Sequence, residues 1–530
     1  MAVQLDLRVA ELALGGPCDP GGRVAGRVGD DVDLEQVGHH GHSIAGATGR
    51  VRYTGPVRDV VVIGGGVVGC AVAWRLSTTG AAVTLVEAAH DLCEGASKGN
   101  TGITTSGADC RPGTLEAELV RRSSPGWEAL CARLDTPFQR IGTLAVAVTA
   151  DEEARLPALL EEARANGAPA EILSGEAARE LEPLVTPQAR AALHFPEDGI
   201  IDSIRLTLGY AELAARNGVE VLRSSPVTAV ERSGDRITAV QAGTRRIETR
   251  AVVNAAGLGA GRISELAGGD PFTMWPRQGQ YWLLDRELGG RFRKVVGGVP
   301  TETTRGIYCV PTTNRSLLLG PTAVDHDDPT DRAVDAGTLE SVFEAAQRLV
   351  PAVRREYAIK AFAANRPASE PVYRVGPDGR VVNLVHAAAI RSTGVSSSPA
   401  VAELVRSALE QLGLPVAGER PDALTALEPL PRLLGHPDPG GLIRRDPRYG
   451  QVICACEQVT AAEIAAAHEM AVPATSLEGV RKRTRATGGR CQGALCLAGV
   501  SFLHSIAAGR RPEEITVSEP GATLGVPAGG

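Results

Sequence analysis

Four cysteines near one end of the chain are spaced for metal chemistry. Cys454 and Cys456 have one residue between them, Cys491 and Cys496 have four, and 34 residues separate the pairs. Four thiolates satisfy either a [2Fe-2S] cluster, two on each iron, or a tetrahedral zinc ion. The one- and four-residue spacings differ from the paired C-x-x-C knuckles of structural zinc, so they favour the cluster over zinc or a disulfide-bonded set. A second pattern lies far upstream. Gly64, Gly66 and Gly69 form G-x-G-x-x-G directly after DVVVI, and Glu87 ends the next strand 18 residues beyond Gly69. The first glycine permits a tight turn, the second lets backbone approach a pyrophosphate, and the third lets helix and strand pack closely. Glu87 suits ribose hydroxyls and repels a 2′-phosphate, which favours FAD or NAD over NADP. The stretch ASKGNTG, residues 96–102, offers Ser97, Lys98, Asn100 and backbone amides for a second phosphate contact and tips the choice to FAD.

The elements that position these residues follow from periodicity. DVVVIGGGVVGCAVAWRLSTTGAAVTLVEAA reads as a β-α-β unit, and residues 219–257 read as successive strands with turns at SGD and AGT, ending in the buried strand AVVNAAG. Helices such as DEEARLPALLEEARANG and strands such as RIGTLAVAV, GQYWLLD and SLLLGPT lie between these pieces. The fold class is therefore α/β with an α+β substrate domain inserted into a discontinuous Rossmann-type domain. Dinucleotide-binding segments are expected at about 57–114, 200–260 and 366–412, and substrate-domain segments at about 115–199 and 261–365. The Pro-rich residues 413–449 read as a linker, 450–510 as a small helical iron-sulfur module and 511–530 as a tail. Residues 1–56, with a His39, His40 and His42 cluster, read as disordered or as an extension from a misassigned start.

Bulk composition excludes several classes. With 530 residues about three domains are expected, and the net charge of −7 is small for that length. Only four lysines (Lys98, Lys294, Lys360, Lys482) stand among 55 basic residues, and the arginines are scattered among 62 acids, which argues against a nucleic-acid surface. No apolar run is long enough to span a membrane, and no secretory leader is evident. A cytoplasmic protein is expected, or one peripheral at a membrane through a partner. Cys18, Cys70, Cys93, Cys110, Cys131 and Cys309 lack ligand-like spacing and read as reduced, mostly buried thiols.

Residues 58–412 resemble the D-amino-acid-oxidase-type FAD oxidoreductases, through VVVIGGGVVG with Glu87, ASKGNTGI, PGTLEAEL, VVNAAGLGA, PRQGQYWLLD, GIYCVPTTNRSLLLGPTAVD, FAANRP and IRSTGVSSSPAVAE. Within that group the chain is most similar to L-2-hydroxyglutarate dehydrogenase and to the large subunit of the anaerobic glycerol-3-phosphate dehydrogenase. VICACEQVTAAEIAAAHEM and RTRATGGRCQGALC resemble the bacterioferritin-associated-ferredoxin-type [2Fe-2S] domain. The resemblance implies that Gly64, Gly66, Gly69, Glu87, Ser97, Asn100, Thr101, Gly102, Val227, Ala256 and Gly257 line FAD. It also implies that a loop of Gly394, Val395, Ser396 and Ser397, preceding a helix, faces the flavin ring, and that Arg366 grips the phosphate or carboxylate of a small anionic substrate. An electron-accepting partner protein or quinone-linked subunit is expected.

One departure matters. Members acting on hydroxy acids often carry a histidine where this chain has Thr105, and threonine is no general base near neutral pH. His194 is a candidate replacement. The change also shifts weight towards an amine or amino-acid dehydrogenase, since a neutral amine loses hydride without such a base. A non-catalytic flavin and iron-sulfur carrier or redox sensor is the reading from another class. Arg481, Arg483, Arg485 and Arg490 read as a solvated basic face.

Overall fold

The computed structural model describes residues 56–301, 305–519 and 521–524. The expected extension with its three histidines, and Cys18, lie outside these. A parallel sheet is built in the order Glu220–Leu222, Val83–Val86, Arg58–Ile63, Arg245–Asn254, Leu384–Ala388. The strand Arg58–Ile63 has no polar alternation because both its faces are covered. Val60 and Val62 pack with helices Val67–Ser77, Ser203–Arg216 and Gly394–Gln411, whereas Val61 and Ile63 pack with Ile237, Val240 and Ile263. Strand Arg245–Asn254 serves two partners. Its first half closes an antiparallel meander with Val227–Ser233 and Arg236–Ala242, and its second half joins the parallel sheet. The meander turns at Gly234 and Gly243, both at positive φ, as SGD and AGT require.

A nine-stranded mixed sheet forms the second domain. Its longest pairing, at one edge, is that of Trp275–Leu284 with Ala358–Ala368, and helix Ala336–Leu349 fills one face with Leu339, Val342, Phe343, Ala346 and Leu349. Strand Ala358–Ala368 carries Arg366, so the segment from 366 begins inside this sheet and not in the dinucleotide-binding domain as expected.

The stretch 413–449 is not a free linker. Leu414 and Val416 are buried in the first domain, Arg420 and Leu427 donate backbone hydrogen bonds to Thr78 and Arg133, and Leu442 and Tyr449 pack on Ala462 of the C-terminal module. Pro-rich composition marks absent regular structure, not absent contact. Nor is the segment after 510 a loose tail, because Ile515 is buried in the module and Leu477 and Glu478 donate to the Thr516 and Val517 carbonyls. The module consists of a hairpin, Val452–Cys454 with Val459–Thr460, and helices Ala461–Glu469, Leu477–Thr484 and Leu497–Ala508. No helix among the described residues is long and apolar enough to cross a membrane.

Candidate functional site

The glycine turn has the geometry its sequence demands. Gly64 sits at φ +112°, where an added Cβ would stand 2.3 Å from the Ala255 carbonyl oxygen, and one on Gly69 would stand 1.9 Å from the Gly64 oxygen. Helix Val67–Ser77 has no side-chain cap at Gly66, and Ser97 Oγ accepts from the Val67 amide at 2.9 Å. Glu87 accepts from the Gly65 and Ala89 amides at 2.6 and 2.7 Å, while burial pushes its carboxyl pKa up. Gly64, Gly66, Glu87, Ser97, Asn100, Thr101, Ala256 and Gly257 line one cavity of about 430 Å³ together with Gly394, Val395 and Ser396. These last three are the opening turn of helix Gly394–Gln411, not a loop before it. Pro399 inside that helix is tolerated because Ser398 Oγ donates to the Val395 carbonyl that the missing N–H would have served.

The remaining expected cofactor residues stand outside the cavity wall. Gly69 lies beneath the turn, and Gly102, at φ +73°, packs against the Ile201 carbonyl. Asn100 holds this loop by donating to Ser203 Oγ and accepting from the Gly102 amide. Ser397 accepts from the Tyr373 hydroxyl, and Val227 starts the meander opposite Ala242. Lys98 is a correction: its ammonium meets Glu94 at 2.5 Å and faces Glu478 of the C-terminal module, because the turn of residues 94–98 stacks the two side chains.

The substrate-domain side is rich in arginine. Arg366 lines the cavity and donates to the backbone carbonyls of Arg277 and Thr322, and its burial lowers its pKa. Arg277, its cross-strand neighbour, pairs with Asp325 at 2.5 Å; Arg305 pairs with Asp109 at 3.2 Å and Glu116 at 3.4 Å; Arg391 and the exposed Arg332 complete the set. Thr105 also lines the cavity, donating to Asp109 Oδ1 at 2.8 Å while its amide donates to Ser396 Oγ.

His194 is not in the wall. Side chains alternate along strand Ala191–Phe195, so Phe195 points into the cavity and His194 points away, with Nδ1 3.1 Å from Glu171. The residue that faces inward lies four positions on. Asp198 is buried, accepts from the Ser106 amide at 2.7 Å, and has its carboxyl pKa pushed up to about 7 by burial and by Asp109. Sequence reasoning picks the histidine of ALHFPEDG and misses its aspartate, which lies on the turn after the strand, where no periodic signal marks the inward side. Arg277, Arg305 and Arg391 were indistinguishable from the many other arginines.

In the C-terminal module the thiols of Cys456 and Cys491 adjoin, as do those of Cys454 and Cys496. A hydrogen bond from the Leu495 backbone helps hold the Cys491 thiol below its usual pKa, favouring the thiolate ligand form. Two adjoining thiol pairs suit a binuclear cluster. A Cβ on Gly489 would lie 2.3 Å from Cys456 Cβ, which gives the glycine before Arg490 its reason.

The basic stretch is not a solvated face. Arg483 is buried on Asp91 at 2.8 Å, Lys482 is buried on Glu94 and the Leu92 carbonyl, and Arg223 reaches Asp91 at 3.2 Å. Arg485 bonds Glu457 at 3.1 Å and only Arg490 remains largely exposed. Burial alone would raise the Asp91 pKa, but Arg483, Lys482 and Arg223 hold it well below the usual carboxylate range. These residues dock the module onto the dinucleotide-binding domain. Arg286 of the second domain adds bonds to the Cys456 carbonyl and Glu457.

A dinucleotide cavity shared with an arginine-rich pocket, and a thiol module docked beside it, define a flavin and iron-sulfur oxidoreductase. The family described as FAD dependent oxidoreductase matches residues 59–408, and the BFD-like [2Fe-2S] binding domain matches residues 452–501. The chain belongs to this FAD-dependent oxidoreductase family and carries a [2Fe-2S] domain. It is 32% identical over 446 residues to a glycerol 3-phosphate dehydrogenase of Caloramator mitchellensis, covering 83% of this chain and 92% of that one. It is 27% identical over 484 residues to a subunit of the anaerobic glycerol-3-phosphate dehydrogenase of Escherichia coli K12, covering 83% and 86%. The FAD-bound L-alpha-glycerophosphate oxidase structure from Mycoplasma pneumoniae superposes with a TM-score of 0.66 at 27% identity, covering 71% of this chain and 99% of that one.

Proposed function

We propose that the protein is a dehydrogenase of glycerol 3-phosphate or a small 2-hydroxy acid that passes electrons through its cluster to a separate acceptor, a partner subunit or a quinone-linked protein. FAD, when bound, accepts the two electrons of a hydride, and the [2Fe-2S] cluster carries them singly. Gly64, Gly66, Glu87, Ser97, Ala256 and Gly257 would hold the dinucleotide, the first turn of helix Gly394–Gln411 would stabilise negative charge on the ring, and Cys454, Cys456, Cys491 and Cys496 would hold the cluster. The observation that carries the substrate reading is the set of Arg277, Arg305, Arg332, Arg366 and Arg391 around one cavity. Arg366 is tied to uncharged carbonyls, which leaves its positive charge unneutralised for a phosphate or carboxylate. The glycerol 3-phosphate dehydrogenase of Caloramator mitchellensis, matched over most of both chains, supports the same substrate.

Thr105 supports a second reading, an amine or amino-acid dehydrogenase, because it supplies no base. An anaerobic visible spectrum before and after glycerol 3-phosphate, L-2-hydroxyglutarate, proline, glycine and a panel of D-amino acids separates the two. Bleaching of the flavin by glycerol 3-phosphate or the hydroxy acid is expected; bleaching by amines alone would establish the second reading. A spectrum unmoved by every compound would favour a non-catalytic carrier.

A further inference from the structure

The cavity has threonine, which is no base, at position 105, and the carboxylates in its wall other than Asp198 are occupied. Glu87 holds two backbone amides in the nucleotide half. Glu116 accepts from Thr393 at 2.7 Å and faces Arg305, and Asp109 is held by Thr105 and Arg305. Asp198 differs from all of these. It lies on the turn between strands Ala191–Phe195 and Gly199–Ile201, 4% exposed, and its fixed partner is a backbone amide, that of Ser106. Beside it stands Thr143, 2% exposed and in the same wall, whose hydroxyl interacts with the Asp198 carboxyl. A buried carboxyl and a hydroxyl held side by side in a cavity wall mark a place where a ligand's own hydroxyl can bond.

We propose that Asp198 is the catalytic residue that takes the proton of the substrate's hydroxyl, with Thr143 binding the same oxygen and Asp109 acting as the positioning residue that keeps Asp198 receptive. This rests on the hydroxy-substrate reading above. The O–H bond breaks and its proton passes to a carboxylate oxygen of Asp198. The electron pair left on oxygen forms the new C=O bond while the carbon's hydrogen leaves as hydride to the flavin oxidant that the family's activity supplies. Charge and atoms balance, since one proton and one hydride leave the alcohol.

The arrangement explains why an aspartate can serve. Burial first, and then the Asp109 charge, place its proton affinity in the neutral range, where a general base is most effective. The other charged or titratable groups that face it are Tyr308 and Arg140, with Arg305 beyond Asp109. A separate acid four residues from His194 thus does the work for which the histidine was a candidate.

The test uses the FAD-loaded full chain. Infrared spectroscopy should show a buried protonated carboxyl that titrates with a midpoint near pH 7 in the wild type and is missing in Asp198→Asn. In Asp109→Asn the midpoint should fall, because the repelling charge is gone. With glycerol 3-phosphate, kcat/KM of the wild type should rise with pH through the same midpoint, and Asp198→Asn should lower kcat on the order of 10²- to 10⁴-fold at unchanged flavin content. If Asp198→Asn does not fold, the wild-type titration and the downward move in Asp109→Asn still decide the matter. An Asp198→Asn enzyme within threefold of wild type, or a midpoint indifferent to Asp109→Asn, overturns the proposal while the substrate reading stands. A wild type that oxidises no hydroxy compound overturns the substrate reading itself.

Discussion

Asp91 and Asp198 are both buried aspartates with charged neighbours, yet their surroundings drive them in opposite directions. Asp91 is enclosed by Arg483, Lys482 and Arg223 and stays ionised, whereas Asp198 is crowded by Asp109 and holds its proton to about pH 7. The first arrangement is closed: every charge has its partner, and the result is a fixed joint between module and domain. The second leaves a deficit of positive charge at one carboxyl, which suits proton transfer. Burial is common to both, so the sign of the neighbouring charge separates a dock from a reaction centre.

The largest expected effect lies at the glycine turn of the nucleotide half. Gly64→Val should abolish retained flavin, read as loss of its visible absorption, while the cluster's absorption survives, because the strained φ and the contact with the Ala255 carbonyl lie far from the cysteines. At the dock, Asp91→Ala leaves Arg483 buried without its carboxylate partner, while Lys482 keeps Glu94. The cost should be about 3–5 kcal/mol, seen in denaturant unfolding and as early proteolysis between the module and the first domain.

At the reaction centre the expected sign reverses. A carboxyl at about 7 when folded and about 3.9 when unfolded binds more protons in the folded state between those values, so stability falls as pH rises from about 4 to about 7. The loss is about 4 kcal/mol at neutral pH, and Asp198→Asn should remove it, raising Tm at pH 8 more than at pH 5. For Asp91 the depressed value means that its contribution is present above about pH 4 and is lost only as pH falls below that. The smallest effect is at the partly exposed Lys98, where Lys98→Ala should change stability by less than about 1 kcal/mol and leave flavin content unchanged. Loss of flavin there would return this lysine to the cofactor site.

The same contrast explains what could be read from sequence. The nucleotide half was legible because its chemistry is local: a strand, a glycine turn and an acid lie within one β-α-β unit, and backbone geometry forces glycine at Gly64 and Gly69. The cysteine spacing was legible for a similar reason, since few patterns compete with it. The dock and the substrate pocket were not, because Arg483 finds Asp91 392 residues away, and Asp109, Asp198, Arg305 and Arg366 meet only when two sheets close on each other. His194 and Asp198 differ by the facing of one strand and one turn, a distinction that composition does not carry. The linker and tail were misread because Leu414, Val416 and Ile515 bury themselves without any periodic pattern to announce it.

The central claim is that substrate electrons enter at the cavity and leave through the docked cluster. One equivalent of glycerol 3-phosphate, added without oxygen to the fully loaded chain and followed by visible absorption and electron paramagnetic resonance together, tests it most directly. Bleaching of the flavin accompanied by the signal of a reduced [2Fe-2S] cluster is the result expected. A bleached flavin with a silent, still oxidised cluster would contradict it.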